Sequence, residues 1–136
     1  GSPDVTYARP RWAPAGRRFV VAEQRAGRWR TLLARVDGGA LVPLGPDDGA
    51  DRYDATFLPG EEAVVLTSER GGVPNLERID VATGVARPLT RVTGAAVAPA
   101  PLAAERALLF LALTSHGFDL RRLALDSVPA SLDVVP

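Results

Sequence analysis

The feature that most limits what this 136-residue chain can fold into is an internal repeat. The stretch RWAPAGRRFVVAE, Arg11 to Glu23, lines up with TFLPGEEAVVLTS, Thr56 to Ser68. Trp12 falls on Phe57, Pro14 on Pro59, and Phe19-Val20-Val21 on Val64-Val65-Leu66. Further on, LARVDGGALVPL matches LERIDVATGVARPL, with Leu33 on Leu76, Val36 on Ile79, Asp37 on Asp80 and Leu44 on Leu89. A third copy starts near Ala95; its apolar run lies in PLAAERALLFLAL, Pro101 to Leu113, and its DLRRLAL repeats NLERIDV. A period of about 45 residues means one supersecondary unit repeated, each unit unable to bury its apolar surface without a neighbour.

Each copy holds the same parts. A short segment ends in Trp12, Phe57 or Pro101, and a Pro/Gly turn follows in the first two copies. Next come FVVA, AVVL and ALLFLAL, apolar on successive residues, so both faces of these strands need cover. After a Gly-containing turn, Leu33/Val36, Leu76/Ile79 and Leu120/Leu123 are three residues apart, which in a strand places them on opposite faces. A last turn leads to a short strand near Leu44 or Leu89. Pro and Gly leave no window of helical length, so the spacing predicts short strands throughout. Four short strands per unit, covered on both sides, describe a β-propeller blade. The expected fold is all-β: three four-stranded antiparallel blades, at about 8–45, 52–90 and 95–136. The tail holds a further candidate strand at Leu132 to Val135, and the head, PDVTYA, another.

At these residues the chain resembles the TolB-like propeller repeats. RPRWAPAGRRFVVA is similar to their P-x-W/F-S-P-D-G-x-x-I-x-F pattern, and NLERIDVATGVARPLT and GFDLRRLAL to the half that follows. The Asp of the Ser-Pro-Asp-Gly turn is absent from all three copies. The resemblance implies a six-bladed ring, protein partners and a bacterial envelope setting. It also implies an alternative, an accessory propeller in a larger enzyme such as a peptidase. Closed propellers have typically about four to eight blades, so three blades leave two faces open, and exposed apolar faces call for a partner. A second copy of the chain, joined twice in a two-fold ring, closes it, and the chain is read first as such a half-propeller; a piece of a larger propeller and an open stack capped by the irregular ends are the alternatives. The opening Gly1-Ser2 reads as a tag remnant, and the residues themselves specify no compartment.

Composition excludes several functions. The 16 basic residues, all Arg, balance 16 acidic ones, which gives nucleic acid or an anionic membrane no footprint. Without Cys there are no disulfides or thiolate metal sites. Ala107 to Leu113, the longest apolar run, is far short of the roughly 20 residues of a spanning helix. There is no G-x-S-x-G elbow, phosphate loop or dinucleotide glycine motif. His116, the only histidine, sits in a turn with no evident base or acid beside it, so no catalytic residue and no cofactor are assigned.

The candidate site is the loop PDDGADRYD between the first two blades. Asp51, Arg52 and Tyr53 are candidates for ligand or partner binding there, joined by Trp29 and His116. Asp47, Asp48 and Asp54 supply carboxylates for a Ca2+ ion, although a solvated turn explains them as well. Trp12 and Phe57, at equivalent positions, are expected between blades; Trp29 and Tyr53 have no evident counterparts. Arg17, Arg18, Arg25, Arg28 and Arg30 form the densest positive run, suited to a solvated hairpin or an acidic partner. Asn75 and Asp37 suit turn positions.

Overall fold

The computed structural model describes residues 4–125. Three sheets follow one another along the chain. The first contains β1 (Val5–Trp12), β2 (Arg18–Arg25), β3 (Arg28–Arg35) and β4 (Val42–Pro43). The second contains β5 (Arg52–Phe57), β6 (Ala63–Ser68), β7 (Asn75–Asp80) and β8 (Ala86–Pro88). The third contains β9 (Ala95–Leu102), β10 (Ala107–Thr114) and β11 (Gly117–Ala124). Each is an antiparallel meander in chain order, and the described residues include no α-helix, only the 3-10 turn Ala103–Glu105. The head is not a separate strand, because Val5–Ala8 form the first half of the innermost strand β1. The candidate strand at Leu132 to Val135 lies outside the described residues.

The continuous apolar runs are sandwiched as two-sided burial demands. All six residues of β6 are buried. Val64 and Leu66 pack towards the first blade with Ala13, Val20, Leu44 and Phe57. Ala63 and Val65 pack towards the third with Ala96, Leu108 and Phe110. The two-residue period of the strand thus divides one apolar run between two neighbours.

Backbone pairing corrects the sequence alignment of the first two copies in their second half. The amide of Leu44 donates to the carbonyl of Thr31 and that of Leu89 to Leu76, each at 2.9 Å. Likewise Val36 donates to Arg17 and Val81 to Glu62, each at 2.9 Å. Thr31 is therefore the counterpart of Leu76, and Ala34 that of Ile79; Leu33 and Val36 are displaced by two residues from the match their identities suggest. The corrected register accounts for burial: Thr31, Leu32 and Ala34 are buried like Leu76, Glu77 and Ile79, whereas Val36 is exposed. In the third copy the expected equivalence holds, with Leu108 paired to Leu123 as Val64 is to Ile79.

One irregularity recurs in all three innermost strands. The register slips after Ala8, after Tyr53 and between Val97 and Ala100. At these slips Arg9, Asp54 and Ala98 take positive φ, 54°, 58° and 58°. A left-handed residue in such a bulge bends the strand and increases its twist, at a cost of about 1–2 kcal/mol for a residue with a Cβ. At the entry to β9, Gly94 has no such choice: a side chain there would collide with the backbone carbonyl of Leu113.

Trp12 departs from expectation. Phe57 is 4% exposed between blades, but Trp12, at the equivalent place, is 61% exposed, with the Phe19 ring of its own strand pair 5.3 Å away. The reason is positional: Phe57 faces the first blade, and among the described residues no sheet covers the corresponding face of the first blade at Trp12.

Thr67, in β6, is fully buried, and its hydroxyl has no hydrogen-bond partner. Its counterparts are Ala22 and Leu111, so the position is an apolar one. Thr67→Val, close to the same shape, is expected to raise unfolding stability by about 1 kcal/mol, read as a higher urea midpoint at unchanged slope.

Candidate functional site

The loop from β4 to β5 is organised by one arginine. Arg52 begins β5 with a side chain only 3% exposed. Its Nη1 and Nη2 donate to Oδ1 and Oδ2 of Asp48 at 2.8 and 3.0 Å, a bidentate pair. Its Nε donates to Glu77 Oε1 at 2.8 Å, and Nη1 also reaches the Pro46 carbonyl at 3.4 Å. The Thr31 hydroxyl donates to the Arg52 carbonyl at 3.3 Å, and the Trp29 amide to Asp51 Oδ1 at 3.1 Å. One guanidinium thus ties the loop to β7 of its own blade, while two further bonds tie it to β3 of the blade before.

The charge states follow from this geometry. Hydrogen bonding from Arg52 holds the Asp48 carboxyl well below the usual carboxylate range, helped by the Ala50 amide. Burial works against the Arg52 charge, but its bonds to Asp48 and Glu77 outweigh burial and hold its pKa up. Burial also raises the phenol of Tyr53, whose hydroxyl donates to Glu69 Oε2 at 2.6 Å.

Of the residues singled out by sequence, Trp29, Asp51 and Arg52 meet at this seam and Tyr53 continues from it along β5. His116 does not join them. It lies exposed in the β10–β11 hairpin of the third blade, its amide donating to Thr114 Oγ1 at 3.1 Å. The carboxylates offered for Ca2+ do not converge: Asp48 faces Arg52, Asp54 pairs with Arg9 at 3.1 Å, and Asp47 is exposed. Among the described residues no group of three or more His, Cys, Asp or Glu gathers to hold a metal ion.

Nor do the first-blade arginines form one patch. Arg18 lies over the Phe57 ring at 5.5 Å and donates to the Glu61 carbonyl, joining the blades. Arg28 pairs with Asp51 at 3.5 Å, and Arg25 and Arg30 pair with Glu23. Asn75 is no turn residue either. It opens β7, where its Oδ1 accepts from the Val92 amide at 2.9 Å and the Thr90 hydroxyl at 2.7 Å, locking the loop into the third blade. Trp29 also has a counterpart, since it pairs with Gln24 as Phe118 does with Leu113.

Sequence reasoning missed Glu77 and Glu23, both buried. A signal existed for Glu23, a charge at a repeat position held by Ser68 and Ala112; Glu77 shares its position with Leu32 and Arg121, which gave none.

No protein-family model matches the sequence, and no curated protein matches it. Solved structures do. TolB from Acinetobacter baumannii superposes with a TM-score of 0.75 at 21% identity, over 93% of this chain and 33% of that one. Puromycin hydrolase superposes with a TM-score of 0.73 at 25% identity, over 90% of this chain and 21% of that one. The fold is that of TolB propeller blades, and the chain spans less than half of either neighbour.

Removing Arg52 leaves the buried Glu77 uncompensated, so Arg52→Gln is expected to lose about 3–5 kcal/mol in denaturant unfolding. The Asp48 contribution has a definite sign. Its carboxyl titrates lower in the folded state, so its stabilisation is complete above the ordinary value of about 3.9 and fades as pH falls below it. Asp48→Asn is therefore less stable than the parent at neutral pH, and the gap between them narrows below about pH 4, as thermal melts across that range would show.

Proposed function

We propose that this chain is a non-catalytic propeller segment that works as a protein-interaction module and forms a six-bladed ring with a second copy of itself. One observation carries the reading. Its two end sheets expose apolar residues at repeat positions that are buried or partly buried where a neighbouring blade covers them.

On the leading face, Trp12, Val36 and Leu41 are 61%, 52% and 41% exposed. Their counterparts Phe57, Val81 and Ala86 pack in the seam between the first two blades. On the trailing face, Leu111 and Leu120 are 36% and 68% exposed, and their counterparts Thr67 and Leu76 are fully buried. Phe118 and Leu113 extend that face at 58% and 39% exposure. The leading face is of the kind that receives a trailing face, and the reverse. Two copies related by a two-fold axis cover all four faces and leave none over. Each large side chain so removed from water contributes about 1.5–3 kcal/mol.

A second reading has its own support. The overlay on puromycin hydrolase means that a longer enzyme contains blades of this kind. On this reading further blades of the same polypeptide cover the two end faces, and this segment is an accessory to chemistry performed elsewhere in it.

Light scattering during size exclusion separates the two readings. The ring predicts a mass about twice 14.3 kDa for the parent chain and a folded monomer for Trp12→Glu. A parent that stays monomeric at high concentration removes the self-completed ring and favours blades supplied in the same chain.

A further inference from the structure

Each of the first two blades has a cleft where the loop to the next blade leaves its outer strand and passes the central hairpin. In the second blade Ser68, Arg70, Asn75 and Thr90 line it. In the first, their counterparts are Glu23, Arg25, Arg30 and Gly45, with Arg28 added, around a cavity of about 460 Å3. That volume falls in the range of small-ligand sites. The cleft itself belongs to the fold, and both clefts carry arginine; the charged pair Glu23 and Arg30, where the second blade has Ser68 and Asn75, belongs to the first blade alone.

The second blade shows what such a cleft needs structurally. There Asn75 and Thr90 hold the exit loop through neutral hydrogen bonds. In the first blade that work is done by Asp51 and Arg52 instead. Glu23 and Arg30 are therefore surplus to it. Glu23 is 2% exposed, its Oε1 accepting from Arg30 Nε at 2.7 Å and its Oε2 lying 3.5 Å from Arg25 Nη2. Hydrogen bonding from Arg30 keeps this carboxyl charged in spite of its burial. A buried ion pair adds little net stability compared with apolar packing, so stability does not explain it. Its geometric effect is to fix two guanidiniums side by side on one carboxylate, with one positive charge in excess. Among the described residues, the two Nη groups of Arg30 make no hydrogen bond, and both arginine side chains are about half exposed, 57% and 51%.

We propose that this cleft is an oxyanion-binding site, in which Arg25 and Arg30, positioned by Glu23, grip a carboxylate or phosphate group entering past Trp29. The planar fork of a guanidinium matches either group through paired N–H donors. The cleft adjoins the seam between the first two blades, already closed within one chain, so binding does not depend on ring formation.

The test is a nuclear magnetic resonance titration of the 15N-labelled full chain at constant ionic strength, with sodium chloride as control. One arm adds inorganic phosphate, the other a tetrapeptide of glutamates. The expected result is a saturable shift of the Trp29 indole N–H together with the Nε–H signals of Arg25 and Arg30. A triple variant, Glu23→Ser with Arg25→Gln and Arg30→Gln, removes the buried carboxylate together with its two partners and leaves no buried charge unpaired; it should keep the amide spectrum of the fold and bind at least about tenfold more weakly. Saturation by phosphate alone identifies a phosphate ligand, and saturation by the peptide alone a carboxylate ligand. Shifts no larger than those with chloride in both arms, or equal binding by the triple variant, overturn the proposal.

Discussion

The structure depends on one constraint: every blade sheet here is apolar on both faces, so each must be pressed between two others. The centre of the chain meets it. The strand Ala63–Ser68 is buried throughout, sending alternate side chains to the blades before and after it. The ends do not. The strand Gly117–Ala124, the third-blade counterpart of Asn75–Asp80, has no buried residue, whereas Asn75–Asp80 has three. Exposure here follows from position and not from residue type, since leucine occupies both Leu76 and Leu120.

Stacked sheets also have to be held in register, and the chain does this with polar groups at the seams. Between the first and second blades the Ala15 amide donates to Glu61 Oε2 at 2.8 Å, with Arg18 reaching the Glu61 carbonyl beside it. Arg52 and Asp51 fix the exit loop at the other end of that seam. Between the second and third blades, Asn75 and Thr90 fix the exit loop with neutral groups. Direction explains the choice. Apolar contact is non-directional and tolerates sliding, whereas a bidentate arginine or a doubly accepting amide permits one arrangement.

The fold was legible because its signals repeat. Trp12/Phe57, the three apolar runs and the turns that bound them specified short strands covered on both sides, and the structure has them. Detail failed where residue identity and backbone position parted. Leu33 resembles Leu76, but the ladder puts Thr31 in its place, because what the position requires is burial and a threonine can supply it. Trp12 resembles Phe57 and occupies the same place, but its burial depends on cover that no sheet among the described residues supplies. At the candidate site Asp51 and Arg52 were singled out from loop composition, and Trp29 from having no evident counterpart in the other copies. Glu77 and Glu23 were not, because a charged residue on a strand reads as a wet edge until the arginine that neutralises it is placed beside it.

That last failure leads back to how blades can differ in function while sharing a frame. The left-handed bulge residue recurs at Arg9, Asp54 and Ala98, three unrelated side chains on one backbone path. The frame therefore sets the path and leaves the side chain free. The same freedom operates at the clefts, where Glu23 and Arg30 occupy positions that Ser68 and Asn75 fill next door. A buried carboxylate is tolerable at such a place only because two guanidiniums reach it, and those guanidiniums stay at the surface because their own blade has already secured its exit loop by other means. Redundancy in holding the frame is what frees a repeat position to take on charge, and charge held rigidly at a seam is what a neutral, repetitive chain has available for recognition.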